Sequence, residues 1–388
     1  MLSNEVGRLP KDFLTLGELG DPWITAHCRV PQGVTRGKAY RMADWQYWCH
    51  AHRYQVRPDA EFVPPQDVGE DSPALLSQAF VYQQTMVVGP QKTGKGPNSA
   101  SSVAFEAAGP SVFAGFAKGG EWYECSQNGC PCGFRYKYRP GQPMGMRHPS
   151  PLIQLTATNE DQADNIYGPL RAMVKMGPLK HTLAVREGFM RVLSPPRIFD
   201  VAGDDDVDLD DLDRIDIVTA SANARLGNPI SDAEQDEVGL YLHSNKLIGV
   251  ADNQARGAAA MGGRTHLTTN CWNPSENSLA QMVYEANEPD VWIFYRNPDL
   301  VPELLDDKGK PLPFEDPEAR RKILEFVYEG SWWADLDAID NLARKLMKRD
   351  PAQAERFFGN RLVRGAGAWL APGLWTSAYA GDVDALAA

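Results

Sequence analysis

Met86-Val-Val-Gly-Pro-Gln-Lys-Thr-Gly-Lys-Gly96 carries an apolar run straight into a glycine-bounded loop with a Gly-Lys pair, and a small-residue stretch, Ser99 to Ala108, follows. Strand, tight loop, helix is the layout of a phosphate cradle. Backbone N–H groups of the loop and of the helix N-terminus attract phosphate oxygens, glycine permits the tight turn, and Lys95 is placed to reach the β- and γ-phosphates. Gly89, Gln91, Lys92, Thr93, Gly94, Lys95 and Gly96 are therefore the candidate nucleotide-binding residues. Gly96 departs from the pattern, standing where a Ser or Thr hydroxyl ordinarily meets Mg²⁺. A glycine-rich turn with a lysine also arises in proteins that bind no phosphate. The strand before it and the helix after it are what favour the cradle.

Working outward, short apolar runs alternate with helical stretches: Thr85 to Val88, Leu152 to Thr156, Asp161 to Met176, Ile215 to Thr219, Arg264 to Thr268 and Val291 to Tyr295. That alternation predicts an α/β sheet domain over about residues 66–300. Residues 1–65, rich in Trp, Pro and charge, read as a lead-in with one helix near Met42 to His52. Beyond Pro313 the pattern turns helical, with Asp316 as N-cap, Pro317 in the first turn, and Ile323, Phe326 and Val327 on one face. Further helices near Leu336 to Met347 and Ala352 to Arg361 complete a small C-terminal lid or linker over 301–388.

The 388 residues are 43% hydrophobic, enough for a sizeable core. With 39 Lys+Arg against 51 Asp+Glu, the net charge of −12 excludes a chain that coats nucleic acid by bulk attraction, while leaving room for a local basic stripe. No apolar run approaches the roughly 18 residues of a membrane span, and residues 1–10 lack a signal-peptide core, so the expected location is the cytoplasm. Six cysteines are too few for a disulfide scaffold and suit a reducing compartment.

Nucleotide hydrolysis needs an acidic pair, one carboxylate for Mg²⁺ and the next to orient water, and Asp236-Glu237 is the natural candidate. The run before it contains Asp232 and Glu234, more polar than a buried strand usually is, so an exposed turn explains the pair equally well. Cys125, Cys130 and Cys132 lie in an insertion over about residues 118–149, and with His148 they could close a tetrahedral zinc site. Reduced, exposed thiols are the alternative. Arg135-Tyr-Lys-Tyr-Arg139 mixes cation and aromatic as a nucleic-acid contact does, yet fits an exposed hairpin strand too. The acidic run from Asp204 to Asp213 lacks the Gly and terminal Glu of a calcium loop and reads as solvated. Cys28, Cys49 and Cys271 read as buried apolar residues.

The order of these blocks resembles the ATPase part of the tailed-bacteriophage terminase large subunit. The match runs through Gly89 to Gly96, Leu155 to Asn165, Ser221 to Pro229, Asp236-Glu237 and Gly262 to Asn270, within roughly residues 40–375. The resemblance implies a P-loop NTPase of the ASCE type, a mostly parallel sheet flanked by helices with a small C-terminal helical lid subdomain. It implies ATP and Mg²⁺ as cofactors, Lys95 as phosphate lysine, Asp236 as Mg²⁺ ligand, Glu237 as catalytic glutamate, and Thr268, Thr269 and Asn270 as the coupling motif. Gln46 resembles the adenine-reading glutamine, although helix packing explains its neighbours Trp45 and Trp48 as well. Many terminases carry an arginine in the loop where this chain has Gln91-Lys92, so a trans-acting arginine is expected, with Arg225 the first candidate and Arg256 and Arg264 its rivals.

The implied partners are double-stranded DNA, a portal protein, a small terminase subunit and further copies in a ring of five, with a monomer in isolation and no membrane. The implied place is the host cytoplasm and, transiently, the procapsid portal. Nothing after Trp369-Leu370 resembles the family's nuclease, so DNA cleavage is not expected of this chain. Two other readings stay open: a helicase-like P-loop translocase, and a non-enzymatic, zinc-stapled docking module with a decayed nucleotide site.

Overall fold

The computed structural model describes residues 2–70, 76–156, 158, 160–186, 188–193, 212–218 and 228–363. Its strands are β1 (Leu2–Ser3), β2 (Gln84–Val88), β3 (Val112–Phe116), β4 (Trp122–Glu124), β5 (Arg135–Lys137), β6 (Pro143–Met146), β7 (Leu152–Thr156), β8 (Leu183–Val185), β9 (Phe189–Val192), β10 (Arg214–Val218), β11 (Asp232–Gln235), β12 (Arg264–Thr269) and β13 (Val291–Tyr295). The helices are α1 (Gly17–His27), α2 (Asp44–Arg53), α3 (Lys95–Ala108), α4 (Glu160–Met176), α5 (Leu247–Met261), α6 (Leu279–Ala286), α7 (Pro317–Val327), α8 (Leu336–Met347) and α9 (Pro351–Phe357).

Nine strands form one sheet in the order β1-β13-β2-β12-β11-β7-β10-β9-β8. From β1 to β10 all neighbours are parallel, and β9 and β8 add antiparallel pairings at one edge. A parallel sheet is covered on both faces, which is why β13, Val-Trp-Ile-Phe-Tyr, is apolar at every position and wholly buried. Met86, Val88, Leu267, Ile293 and Tyr295 pack with α5 and α6 residues such as Leu247, Ala251 and Ala280. Ile153, Leu155 and Ile215 pack with Trp23 of α1, Phe105 of α3 and Leu170 of α4. Helices α7 to α9 share their own small core around Phe314, Ile323, Leu324 and Ala343. Asp316 caps α7 as its sequence predicts, its Oδ2 accepting from the Ala319 N–H at 2.8 Å.

The polar run before Asp236 is a fully buried strand. Its two acids meet a cation from α2: the Arg53 guanidinium donates to Glu234 at 2.5 Å and to Asp232 at 2.8 Å. Arg264 donates to Glu106 at 2.8 Å, and the Tyr54 hydroxyl donates to the same carboxylate at 2.6 Å. Three carboxylates thus share two guanidiniums. Burial raises both the Asp232 and Glu234 carboxyls above their ordinary range, and the charge of Arg53 opposes that rise. The alternative of an exposed acidic turn is thereby corrected: β11 is a central strand, and Arg53 of α2 meets one oxygen of each of its acids.

Candidate nucleotide site

The sheet order explains how residues distant in sequence meet. Strand β12 lies between β2, which feeds the glycine loop, and β11, which ends at the acidic pair. Parallel strands present their C-terminal ends together, so the end of β12 falls between Lys95 and Asp236-Glu237. Asn270, one residue past β12, bridges them: its Oδ1 accepts from Lys95 Nζ at 3.0 Å, and its Nδ2 donates to the Glu237 oxygens at 3.0 and 2.8 Å. Thr268 donates its hydroxyl to Asp236 Oδ1 at 2.6 Å. Thr269 accepts from the Gly239 N–H at 2.9 Å and donates to the Asn270 carbonyl at 2.7 Å, which fixes the turn leaving each acid and amide.

Lys95 is the first residue of α3, and its ammonium also donates to the Gly89 and Pro90 carbonyls at 2.7 and 3.0 Å. Burial lowers its pKa, against the opposing pull of Glu237 and Asp236. Burial raises the Glu237 carboxyl, with Asp236 adding to the rise and Lys95 opposing it. Glu237 also sits at φ 56°, a left-handed conformation uncommon for this residue type and a feature of functional turns.

The loop itself is held from two sides. Thr93 donates to the Pro90 carbonyl at 2.9 Å. Lys92 is exposed at φ 69°, and Gly94 takes φ 93°. Gln91 joins the C-terminal helices, its N–H donating to the Phe357 carbonyl at 2.8 Å and its carbonyl accepting from the Tyr328 hydroxyl at 2.7 Å. Gln46, buried on α2, accepts from the Ala43 N–H at 2.9 Å and reaches the Gly94 carbonyl at 3.5 Å, so it stands at the rim of the loop.

Gly96 has a steric cause. A Cβ there would lie 2.4 Å from the backbone oxygen of Asn165 on α4, so a Ser or Thr cannot be accommodated without moving that helix. The Asn165 amide in turn lies 3.5 Å from Asp236 Oδ2. Neither its part in the site nor that of Arg53 carries a local sequence signal, because each contact is made by a helix from elsewhere in the chain.

Of the arginines, Arg225 lies outside the described residues, as do residues 204–211 of the acidic run and most of the block at 221–229. Arg256 is exposed on α5 and donates to Asn253 of its own helix. Arg264 is buried against Glu106, so its guanidinium is not free for a neighbouring subunit. His148 is corrected as the fourth ligand of the cysteine cluster: its Nδ1 accepts from the Ser150 N–H at 3.1 Å. The imidazole beside the thiols is that of His27, and the ligand atoms of His27, Cys125, Cys130 and Cys132 all lie within 4.8 Å of one another. Arg135 and Lys137 lie on an exposed hairpin strand, over the Trp122 ring at 4.6 and 5.7 Å.

A central parallel order with one strand between the lysine strand and the acid strand defines the RecA-like P-loop fold, the fold of the ATPase part of phage large terminases. The large terminase of bacteriophage HK97 has this fold, at a TM-score of 0.54 and 14% identity, over 90% of this chain and 56% of that one. The chain therefore spans little more than half the length of that terminase. The large terminase ATPase domain of Thermus phage P74-26 gives 0.39 at 10% identity, covering 75% of this chain and 94% of that one. A large terminase from a thermophilic bacteriophage, in complex with ADP, gives 0.33 at 11%, covering 67% and 48%. No family model matches the chain, and no curated protein matches it in sequence. Among the described residues no helix is long and apolar enough to cross a membrane.

Proposed function

We propose that the chain is the ATP-hydrolysing motor part of a phage DNA-packaging terminase, driving double-stranded viral DNA into a procapsid. The observation that carries this reading is the meeting of Lys95, Asp236 and Glu237 around Asn270 at the ends of three adjacent parallel strands. Lys95 would neutralise the β- and γ-phosphates, and Glu237, aimed by Asn270, would orient and deprotonate the attacking water. Its raised carboxyl pKa suits a base, because the proton it accepts is then better held.

The residues fit Mg²⁺. Asp236 carries an oxygen that Thr268 does not use, Thr268 supplies a hydroxyl beside it, and hard oxygen donors of this kind suit the ion. Asp236, with Thr268 next to it, would hold the metal in place of the hydroxyl that Gly96 lacks. When bound, Mg²⁺ neutralises phosphate charge. The in-loop lysine, Lys92, is a point charge without a planar fork, so an arginine from a neighbouring subunit, Arg225 first, would meet the transition state. The working assembly would be a ring of five, a monomer in isolation, docked with a small terminase subunit on a portal protein, in the host cytoplasm and transiently at the procapsid.

Mg²⁺-dependent ATP binding and hydrolysis by wild type, Lys95→Ala and Glu237→Gln, across protein concentration and with duplex DNA, test the reading. Binding should need Lys95, and turnover should need Glu237 and rise with concentration. Wild-type protein that neither binds nor hydrolyses ATP refutes it.

A further inference from the structure

We propose that His27, Cys125, Cys130 and Cys132 form a structural zinc site that pins the insertion hairpin to the last turn of α1. His27 Nε2 lies 3.2 Å from Cys132 Sγ and 3.4 Å from Cys125 Sγ, and the widest separation among the four ligand atoms stays within 4.8 Å. Zinc bonds of ~2.3 Å to sulfur and ~2.0 Å to nitrogen place tetrahedral ligand atoms roughly 3.5–3.8 Å apart, so small side-chain shifts close the site.

The surroundings match what a zinc ligand set requires. His27 Nδ1 donates to the Trp23 carbonyl at 2.7 Å, which fixes the tautomer and turns the Nε2 lone pair toward the thiols. Trp23 stacks on the imidazole at 4.1 Å between ring centroids, and Phe134 meets it edge-on at 5.7 Å, giving the site an apolar side. The Phe134 N–H points at Cys132 Sγ at 3.4 Å, a contact that stabilises a thiolate. Gly129 and Gly133, at φ 78° and 81°, make the tight turns that fold Cys125, Cys130 and Cys132 onto one point. All three cysteines are free thiols.

The staple has a reach beyond the hairpin. Trp23 contacts Phe105 of α3 at 5.4 Å, so the zinc would tie the exposed Trp122, Arg135 and Lys137 face, through α1, to the helix that begins at the phosphate loop. The proposal is independent of whether that loop binds ATP.

The test is zinc content of the untagged full chain by elemental mass spectrometry, with cobalt substitution read by its visible bands. Wild type should hold about one zinc per chain, show the bands of a tetrahedral Cys3His cobalt site, and melt at lower temperature after chelation. His27→Ala and Cys132→Ser should lose most of the metal. Because those variants can fail to fold, His27→Cys and His148→Ala serve as controls, and both should keep it. A folded, metal-free wild type, bound iron in place of zinc, or zinc lost with His148→Ala but kept with His27→Ala would each overturn the proposal.

Discussion

The Asn270 amide donates to both carboxylate oxygens of Glu237, at 3.0 and 2.8 Å, while its own oxygen holds Lys95. One side chain thereby fixes the distance between the proposed phosphate lysine and the proposed base. Asn270→Ala should therefore lower kcat for ATP by ~100-fold, the scale of losing a positioned general base, with KM changed by less than about threefold. Steady-state kinetics decide it. A KM effect with kcat intact would assign Asn270 to nucleotide binding instead.

Gly96 invites a repair that the packing forbids. Gly96→Ser adds the hydroxyl of the usual loop and raises helix propensity, yet its Cβ would press on the Asn165 carbonyl at 2.4 Å. Overpacking of this kind costs about 1–3 kcal/mol, so the variant should melt below wild type, with no gain in Mg²⁺ affinity. A variant as stable as wild type would show that α4 yields easily.

Arg53 balances two buried acids on the strand that ends at Asp236. Arg53→Met leaves Asp232 and Glu234 facing each other without their cation, and should destabilise the chain by about 3–5 kcal/mol in chemical denaturation. The triple variant Arg53→Met, Asp232→Asn, Glu234→Gln should recover part of that loss, because the charges rather than the volume are at fault.

His50 is buried on α2 against Gly20, where an added Cβ would lie 2.1 Å from its Nε2. Burial, reinforced by Arg53 and Arg264, lowers its pKa to about 3 from an ordinary 6.5. The unfolded chain therefore binds a proton that the folded chain refuses between those values, and stability falls as pH drops from 6.5 toward 3. The slope from this one residue should be about 1.4 kcal/mol per pH unit. Urea titrations across that range should show a shallower dependence for His50→Gln than for wild type, and parallel slopes would refute the assignment.

What the sequence reveals here follows the range of the interactions. The loop from Gly89 to Gly96 is legible because strand, turn and helix signals are contiguous, and α7 is legible because Asp316 and Pro317 mark its start. The acidic pair is half legible, since Asp232 and Glu234 obscure a buried strand until Arg53, 179 residues away, is placed beside them. His27 is 98 residues from Cys125 and has no spacing to announce it, so nearby His148 drew the reading instead. The steric cause of Gly96 depends on α4 crossing the start of α3, which no local pattern encodes.

The segment that follows α7, the proposed lid, grips the loop by two hydroxyls. Tyr328 donates to the Gln91 carbonyl at 2.7 Å, and Ser331 donates to the Thr93 carbonyl at 3.4 Å while accepting from Trp45 Nε1 at 3.2 Å. Both bonds end on the backbone that would cradle phosphate, so they preorganise the loop in ground state and transition state alike. Losing one bond of about 1 kcal/mol should then raise the KM for ATP about fivefold and leave kcat within about twofold. Tyr328→Phe and Ser331→Ala should each show this, and the double variant tests whether they act as one clamp, through less than additive losses. If hydrolysis drives lid motion, the same bonds are the links through which the loop pulls α7. The double variant should then lose more DNA translocation than ATP turnover, measured side by side, and equal losses would mean that the lid only steadies the loop.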